Sequence, residues 1–338
     1  MQNGSIEILG RGTGEIFASI DPDEARAYFR AKDKSLRNKV MYVREAVKRF
    51  VHDGDYVGIG GFGTNRIPTA VCHEIVRQKR KNLGFLGHTS THDFQILAAG
   101  EVFDRCDVGY VVGLEARGLS PQARRYLESG KVRITENTNY TLSMRIKAAS
   151  MGVPFILSRN LMGTDTFAKS ASMLVRCPFT GKKLVAHPAI YPDVAAIHVH
   201  ESDVHGNARI HGITISDLDL ARAAKRLIIT TERLIQESEI RRDPAATDIP
   251  YYLVDAVCEV PFGSYPGCMP GEYFSDEDHL REWLEAEKDP ETLRSFLDRH
   301  IHSLDSFSRY LDLCGGIRRI RELRRKELLF RRQEDEDE

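Results

Sequence analysis

The chain has 338 residues, 41% of them hydrophobic and 29% charged, with a formal net charge of −1. A chain of this length buries a large core and holds one or two domains at roughly 150 residues each, and its balanced composition excludes a disordered protein or an electrostatically driven binder of nucleic acid. The expected partners are small molecules or other proteins.

Residues 1–39 read as an extension, polar and glycine-containing at first and then helical over 21–32, where Pro22 and Asp23 supply start signals ahead of Ala25, Tyr28 and Phe29. From Val40 onward, amphipathic helices alternate with short apolar strands. The pattern predicts strands at 56–59, 83–86, 108–112, 155–157, 194–199, 227–231 and 253–257, and helices at 42–51, 68–77, 121–129, 142–151 and 217–224. Strand and helix in turn imply an α/β fold: a three-layer α/β/α, open, mostly parallel sheet, with helical N- and C-terminal extensions. No internal repeat and no linker rich in Gly, Pro and Ser divides residues 40–315, which read as one domain. After about residue 275 the chain turns helical and charged, anchored by Trp283, Leu284, Leu293, Phe296 and Leu297. Residues 316–338 form a basic helix, with Ile320, Leu323 and Leu328 as its apolar stripe, and a short acidic tail. No stretch approaches the about 20 apolar residues that span a bilayer, and the start lacks a basic segment leading into an apolar one, so a cytoplasmic protein without membrane contact is expected.

Residues 53–68 carry the most information. They read Asp53-Gly54-Asp55-Tyr56-Val57-Gly58-Ile59-Gly60-Gly61-Phe62-Gly63-Thr64-Asn65-Arg66-Ile67-Pro68, a strand running into a glycine turn and a proline-started helix. Glycines at a strand end let the backbone approach a ligand and leave N–H groups to point at developing negative charge. Gly58, Gly60 and Gly63 also fit the dinucleotide pattern G-x-G-x-x-G, which needs an acidic residue about 20 positions on, at the tip of the next strand. That strand ends in Gly87-His88-Thr89-Ser90-Thr91 with no carboxylate, so no nucleotide cofactor is expected.

Ligands in open α/β sheets bind outside the carboxyl ends of the strands. Among residues so placed, Thr89 and Ser90 offer hydroxyl donors and Arg117 a planar fork for a carboxylate. Glu115 reads as an ion-pair partner more readily than a base. His198, His200, His205 and His211 cluster in sequence, with His198 and His200 on one strand face, yet no Cys or carboxylate is convincingly placed beside them to complete a metal site. The six cysteines contain no C-x-x-C pair, and Cys72 and Cys258 read as buried thiols.

Gly60-Gly61-Phe62, lying between Asp53-Gly54 and Pro68, resembles the first signature of the family I coenzyme A transferases. Residues 193–200, Gly206-Asn207-Ala208-Arg209-Ile210 and Ala223-Ala224-Lys225 through Thr231-Glu232 resemble the strand, turn and helix that follow in this family. Residues 239–244, Asp248-Ile249-Pro250, Val254-Asp255-Ala256-Val257 and Pro261-Phe262-Gly263-Ser264 are similar to the A subunits of its glutaconate branch. Two positions depart from the signature. Arg66 stands where a glycine is usual, and is similar to the basic residue of the glutaconate branch; Gly58 replaces a larger apolar residue.

The resemblance implies an A subunit that moves coenzyme A between an acyl-CoA and a carboxylic acid, a glutaconate-type dicarboxylate by preference, with coenzyme A as substrate and no metal. In the family a glutamate of the B-type half attacks the thioester and becomes a glutamyl-CoA intermediate. Its Ser-Glu-Asn-Gly type motif is missing here. Thr135-Glu136-Asn137-Thr138 has neither the serine nor the glycine, so Glu136 reads as a cap or a solvated charge, no catalytic residue is expected in this chain, and a B subunit is the implied partner. Gly60, Gly61 and Phe62 are expected to provide or shape the oxyanion pocket. Two alternatives stay open: a coenzyme A-dependent, ring-opening hydrolase on the same scaffold, and a non-catalytic acyl-CoA-binding or regulatory protein. Ring-opening relatives carry a glutamate where this chain offers Asn139.

Overall fold

The computed structural model describes residues 6–111 and 118–336, with side chains described as far as Leu328. Its strands are β1 (Ile8–Arg11), β2 (Tyr56–Ile59), β3 (Leu83–Gly87), β4 (Phe103–Val108), β5 (Arg133–Glu136), β6 (Phe155–Ser158), β7 (Met173–Arg176), β8 (Lys183–Pro188), β9 (Val194–Ser202), β10 (Ala208–Arg209), β11 (Arg226–Leu234) and β12 (Ala256–Glu259). The large sheet runs β12-β11-β9-β2-β3-β4-β5 with every neighbour parallel, and β10 adds antiparallel to β9. This is the expected α/β architecture.

Each strand of the sheet's centre is buried on both faces, and its side chains alternate between two cores. On β9, Val194 and Ala196 belong to one core, while Ala195, Ile197 and Val199 belong to the other. The first core is closed by the helices Val43–Phe50, Thr69–Arg77, His92–Ala99 and Pro121–Glu128. The second is closed by the helices Asn139–Ser150 and Asp217–Ala223 and by Ala25 of the N-terminal helix Pro22–Ala31. Packing of that second layer explains Gly58, since a Cβ there would sit 2.7 Å from Leu220 Cδ1.

Three expectations need correction. The strand predicted at 108–112 forms at Phe103–Val108, because Phe103 and Cys106 supply the buried positions while Arg105 satisfies the carbonyls of Asn82 and Gly54, so its polar letters hide a strand. Phe155–Ser158 does not join the parallel sheet. It lies with β1, β7 and β8 in a separate antiparallel sheet of four strands, and its alternation of exposed and half-buried residues fits a sheet with one solvated face. The N-terminal extension is therefore only partly helical, for β1 pairs with β7 before the chain reaches its helix. That helix starts as expected, with the Asp21 side chain accepting the Asp23 N–H and Pro22 at its first position. On the C-terminal helix, Ile320 and Leu323 are buried while Leu328 is exposed.

The helices after residue 275 belong to the main body. Trp283, Leu293, Leu297 and Ile301 extend the first core. Glu287 is fully buried there, its Oε2 accepting from Ser120 Oγ at 2.7 Å, and burial pushes its carboxyl from 4.5 up to about 7. A raised carboxyl stabilises the fold fully below its unfolded value and loses that contribution as pH rises through the folded value. Wild type should therefore gain stability relative to Glu287→Gln as pH falls from about 7 to about 4.5, by at most about 1.4 kcal/mol per pH unit, measured by urea unfolding of both proteins across that range.

Candidate functional site

The chain lays down β2, adds β3, β4 and β5 on one side, passes through the small sheet, and returns to add β9, β11 and β12 on the other. Strand order thus reverses between β2 and β9, and the carboxyl edge at such a reversal is where open parallel sheets bind ligands. The glycine turn after β2 lies at that edge. Ile59, Gly60, Gly61, Leu86, Gly87, His88, Ser216 and Asp217 line a narrow crevice there.

Asp217, the first residue of its helix, organises the turn. Its Oδ1 accepts the Gly61 N–H at 2.7 Å, and its Oδ2 accepts from Arg66 Nη2 at 2.7 Å. Arg66 is fully buried and also donates to the Ile213 carbonyl. The carboxylate approaches so closely that a Cβ on residue 60 would lie 2.5 Å from Asp217 Oδ1. Gly61 has φ +79°, and a Cβ there would lie 2.5 Å from the Asn65 carbonyl oxygen. Neither position admits a side chain.

The amides expected to be free donors are all engaged. Gly60 N–H donates to Ala196 O at 2.9 Å, Phe62 N–H to Asn65 O at 3.0 Å and Gly63 N–H to Thr89 O at 2.7 Å, in addition to the Gly61–Asp217 bond. The reason is the turn's position, pinned by β9, by the β3 loop and by the segment after β12, where Arg66 N–H donates to Cys268 O. In this arrangement the turn shapes a wall.

Of the other expected contacts, Thr89 is half-buried beside the crevice, and its Oγ1 lies 3.0 Å from His88 Nδ1. Ser90 is sealed in behind it, close to Gly87, where a Cβ would meet Ser90 Oγ at 2.0 Å. Arg117 and Glu115 lie outside the described residues. His88, which the sequence does not single out, sits in the crevice; burial lowers its pKa below 6.5, and the Asp217 charge opposes that. Four of the eight described non-glycine residues with left-handed backbone lie in the loops of this edge: Arg66 (φ 57°), Thr89 (φ 48°), Ile215 (φ 44°) and Phe262 (φ 61°). Such conformations cost on the order of 1–3 kcal/mol each and concentrate at functional sites.

The described carboxylates around the crevice are committed elsewhere. Asp217 is held by Arg66; Asp93 is buried and pushed up to about 6 by desolvation; Glu232 accepts from Tyr273 Oη and the Phe262 N–H and lies 2.8 Å from His198 Nε2. Glu136, at the end of β5, faces Lys169 at 3.4 Å, and the adjacent Asn137 joins a buried cluster with Asp107 and Arg145. Nor do the four clustered histidines converge. His198 binds Thr230 and Glu232, His200 binds Pro270 O and the His211 N–H, and His205 binds Arg37 O.

Fold and crevice define an α/β protein with a glycine-walled crevice at the switch point of its sheet. The sequence pattern of the coenzyme A transferase family matches residues 40–260. The chain is 32% identical over 303 residues to the A subunit of glutaconate CoA-transferase from Acidaminococcus fermentans, a match that covers 84% of this chain and 94% of that one. It is also 32% identical over 276 residues to the A subunit of 3-oxoadipate CoA-transferase from Pseudomonas knackmussii, covering 80% and 96% of the two chains. The crystal structure of the Acidaminococcus fermentans glutaconate coenzyme A-transferase superposes with a TM-score of 0.80 at 31% identity, covering 83% of this chain and 94% of that one. The chain belongs to the coenzyme A transferase family, with coenzyme A as its substrate.

Removing one partner of a buried ion pair strands the other charge. Asp217→Ala should therefore destabilise the protein by about 3–5 kcal/mol, and Asp217→Asn by less because an oxygen still faces Gly61. Urea unfolding of the two variants against wild type checks the order. Equal loss in both would show that the carboxylate does not hold the turn.

Proposed function

We propose that this chain is the A subunit of a coenzyme A transferase that works with a separate B subunit, and that its acid substrate is a dicarboxylate. The observation that carries the reading is the crevice itself: a glycine-walled slot at the sheet's switch point in which no described carboxylate is free to act as nucleophile. Moving coenzyme A between acids conserves the thioester only if an enzyme carboxylate holds the acyl group away from water. With Asp217, Asp93 and Glu232 committed as above, and Glu136 outside the crevice lining and facing Lys169, the nucleophile comes from the partner.

The steps balance as follows. The partner's glutamate attacks the acyl-CoA carbonyl, forming a mixed anhydride and releasing the coenzyme A thiolate. The thiolate attacks the glutamyl carbonyl of that anhydride, giving glutamyl-CoA and the free first acid; the second acid then runs both steps in reverse. In this scheme Gly60, Gly61 and Phe62 shape the wall against which the thioester lies, Thr89 offers a hydroxyl to the acyl group, and Arg117 pairs with the distal carboxylate of the acid. The dicarboxylate preference rests on the named acids of the two relatives, glutaconate and 3-oxoadipate.

Co-expression with the B-type chain, followed by exchange of coenzyme A between acyl-CoA and a panel of mono- and dicarboxylic acids, tests this. Transfer should occur only in the mixture and fastest with dicarboxylates. Turnover by this chain alone, or net loss of thioester without transfer, would overturn the reading.

A further inference from the structure

We infer that His279, His300 and Cys314 form a binding site for one divalent transition-metal ion of the zinc class. One ligand atom from each residue lies within 4.8 Å of the other two. The three residues are far apart in sequence and belong to different elements: His279 to the helix Glu277–Ala286, His300 to the π-helical turn Asp298–His302, and Cys314 to the end of the helix Phe307–Leu313. All three lie beyond residue 260, where the family match ends, and the site stands independently of the transferase reading.

The hydrogen bonds around the cluster orient its ligands. His279 Nδ1 lies 3.0 Å from Glu282 Oε2, so it carries the ring proton, and Nε2 accepts from Tyr310 Oη at 2.8 Å. His300 Nδ1 donates to the Phe296 carbonyl at 2.9 Å, which leaves its Nε2 with the lone pair. A carboxylate on one histidine and a backbone carbonyl on the other are the partners that ligating histidines characteristically have. His279 Nε2 and Cys314 Sγ are 3.8 Å apart. Tetrahedral zinc, with bonds of about 2.1 Å to nitrogen and 2.3 Å to sulfur, holds such a pair about 3.6 Å apart, close to the spacing found here. Two imidazoles and a thiolate select zinc-like ions over the oxygen-seeking Mg²⁺ and Ca²⁺.

Access is open. His279, His300 and Cys314 line a groove of about 990 Å³ whose rim includes Glu282 and Glu285, and water arriving through it completes the tetrahedron. As the metal–sulfur bond forms, the Cys314 proton leaves to solvent along the same route, and the Tyr310–His279 hydrogen bond gives way to the metal–nitrogen bond. The ion would then staple the C-terminal helices to one another beside the ring contact of His279 with Tyr310 and the ion pair of Arg319 with Asp276.

The test uses the full chain, stripped with chelator under reducing conditions and titrated with Co²⁺. One equivalent should bind with a thiolate-to-cobalt charge-transfer band in the near ultraviolet. The band should vanish in Cys314→Ser, and affinity should fall at least tenfold in His300→Ala. Absence of the band in wild type, or its persistence at full strength in Cys314→Ser, overturns the proposal. Should the variants fail to fold by circular dichroism, X-ray absorption of the zinc-loaded wild type decides: one sulfur and two imidazole nitrogens support the site, and a shell without sulfur refutes it.

Discussion

One buried contact sets the geometry of the carboxyl edge. The Asp217 carboxylate takes the Gly61 amide on one oxygen and the Arg66 guanidinium on the other, and so fixes the turn after β2. Two separate sequence features answer to it. Gly60 is there because the approach leaves no room for a Cβ, and Arg66 supplies the charge without which a buried carboxylate would be costly. The helix N-terminus beginning at Asp217 favours the same negative charge, so the pair costs less than two isolated ions would.

With those donors satisfied inside the chain, the turn is rigid before any ligand arrives. Four independent elements grip it: β9, the β3 loop, the Asp217 helix and the segment around Cys268. A surface so fixed presents shape, rather than free main-chain donors, to whatever lies in the crevice. The described carboxylates beside this crevice are neutralised, desolvated or hydrogen-bonded.

Much of the fold is legible in the sequence because its signals are local. Tyr56–Ile59 is a strand of uniformly buried residues that runs straight into glycines, and the helix over Pro121–Glu128 announces itself with Ser120 and Pro121. Phe103–Val108 is hidden because Asp104, Arg105 and Asp107 break its apolar run, and the carbonyls that Arg105 satisfies are remote in sequence. Of the antiparallel sheet of β1, β6, β7 and β8, only β6 is marked in the sequence, at 155–157, and its place in a separate sheet is hidden because the strands it joins give no local sign of their pairing. The glycine turn is plain, but the engagement of its amides is not, since nothing in Gly60-Gly61 says that Asp217 lies 156 residues beyond Gly61. His279, His300 and Cys314 match no spaced motif, and only the packing of three helices brings them together.

The central strand also imposes a schedule on biosynthesis. β2 needs β9 on its second edge, and the Tyr56 N–H waits for the Asp193 carboxylate 137 residues downstream. At translation rates of about 5–20 residues per second, that edge stays bare for on the order of ten seconds after β2 leaves the ribosome. During that interval an apolar, unpaired ribbon is open to capture by neighbouring nascent chains, which makes the first half of this polypeptide a natural client for chaperones.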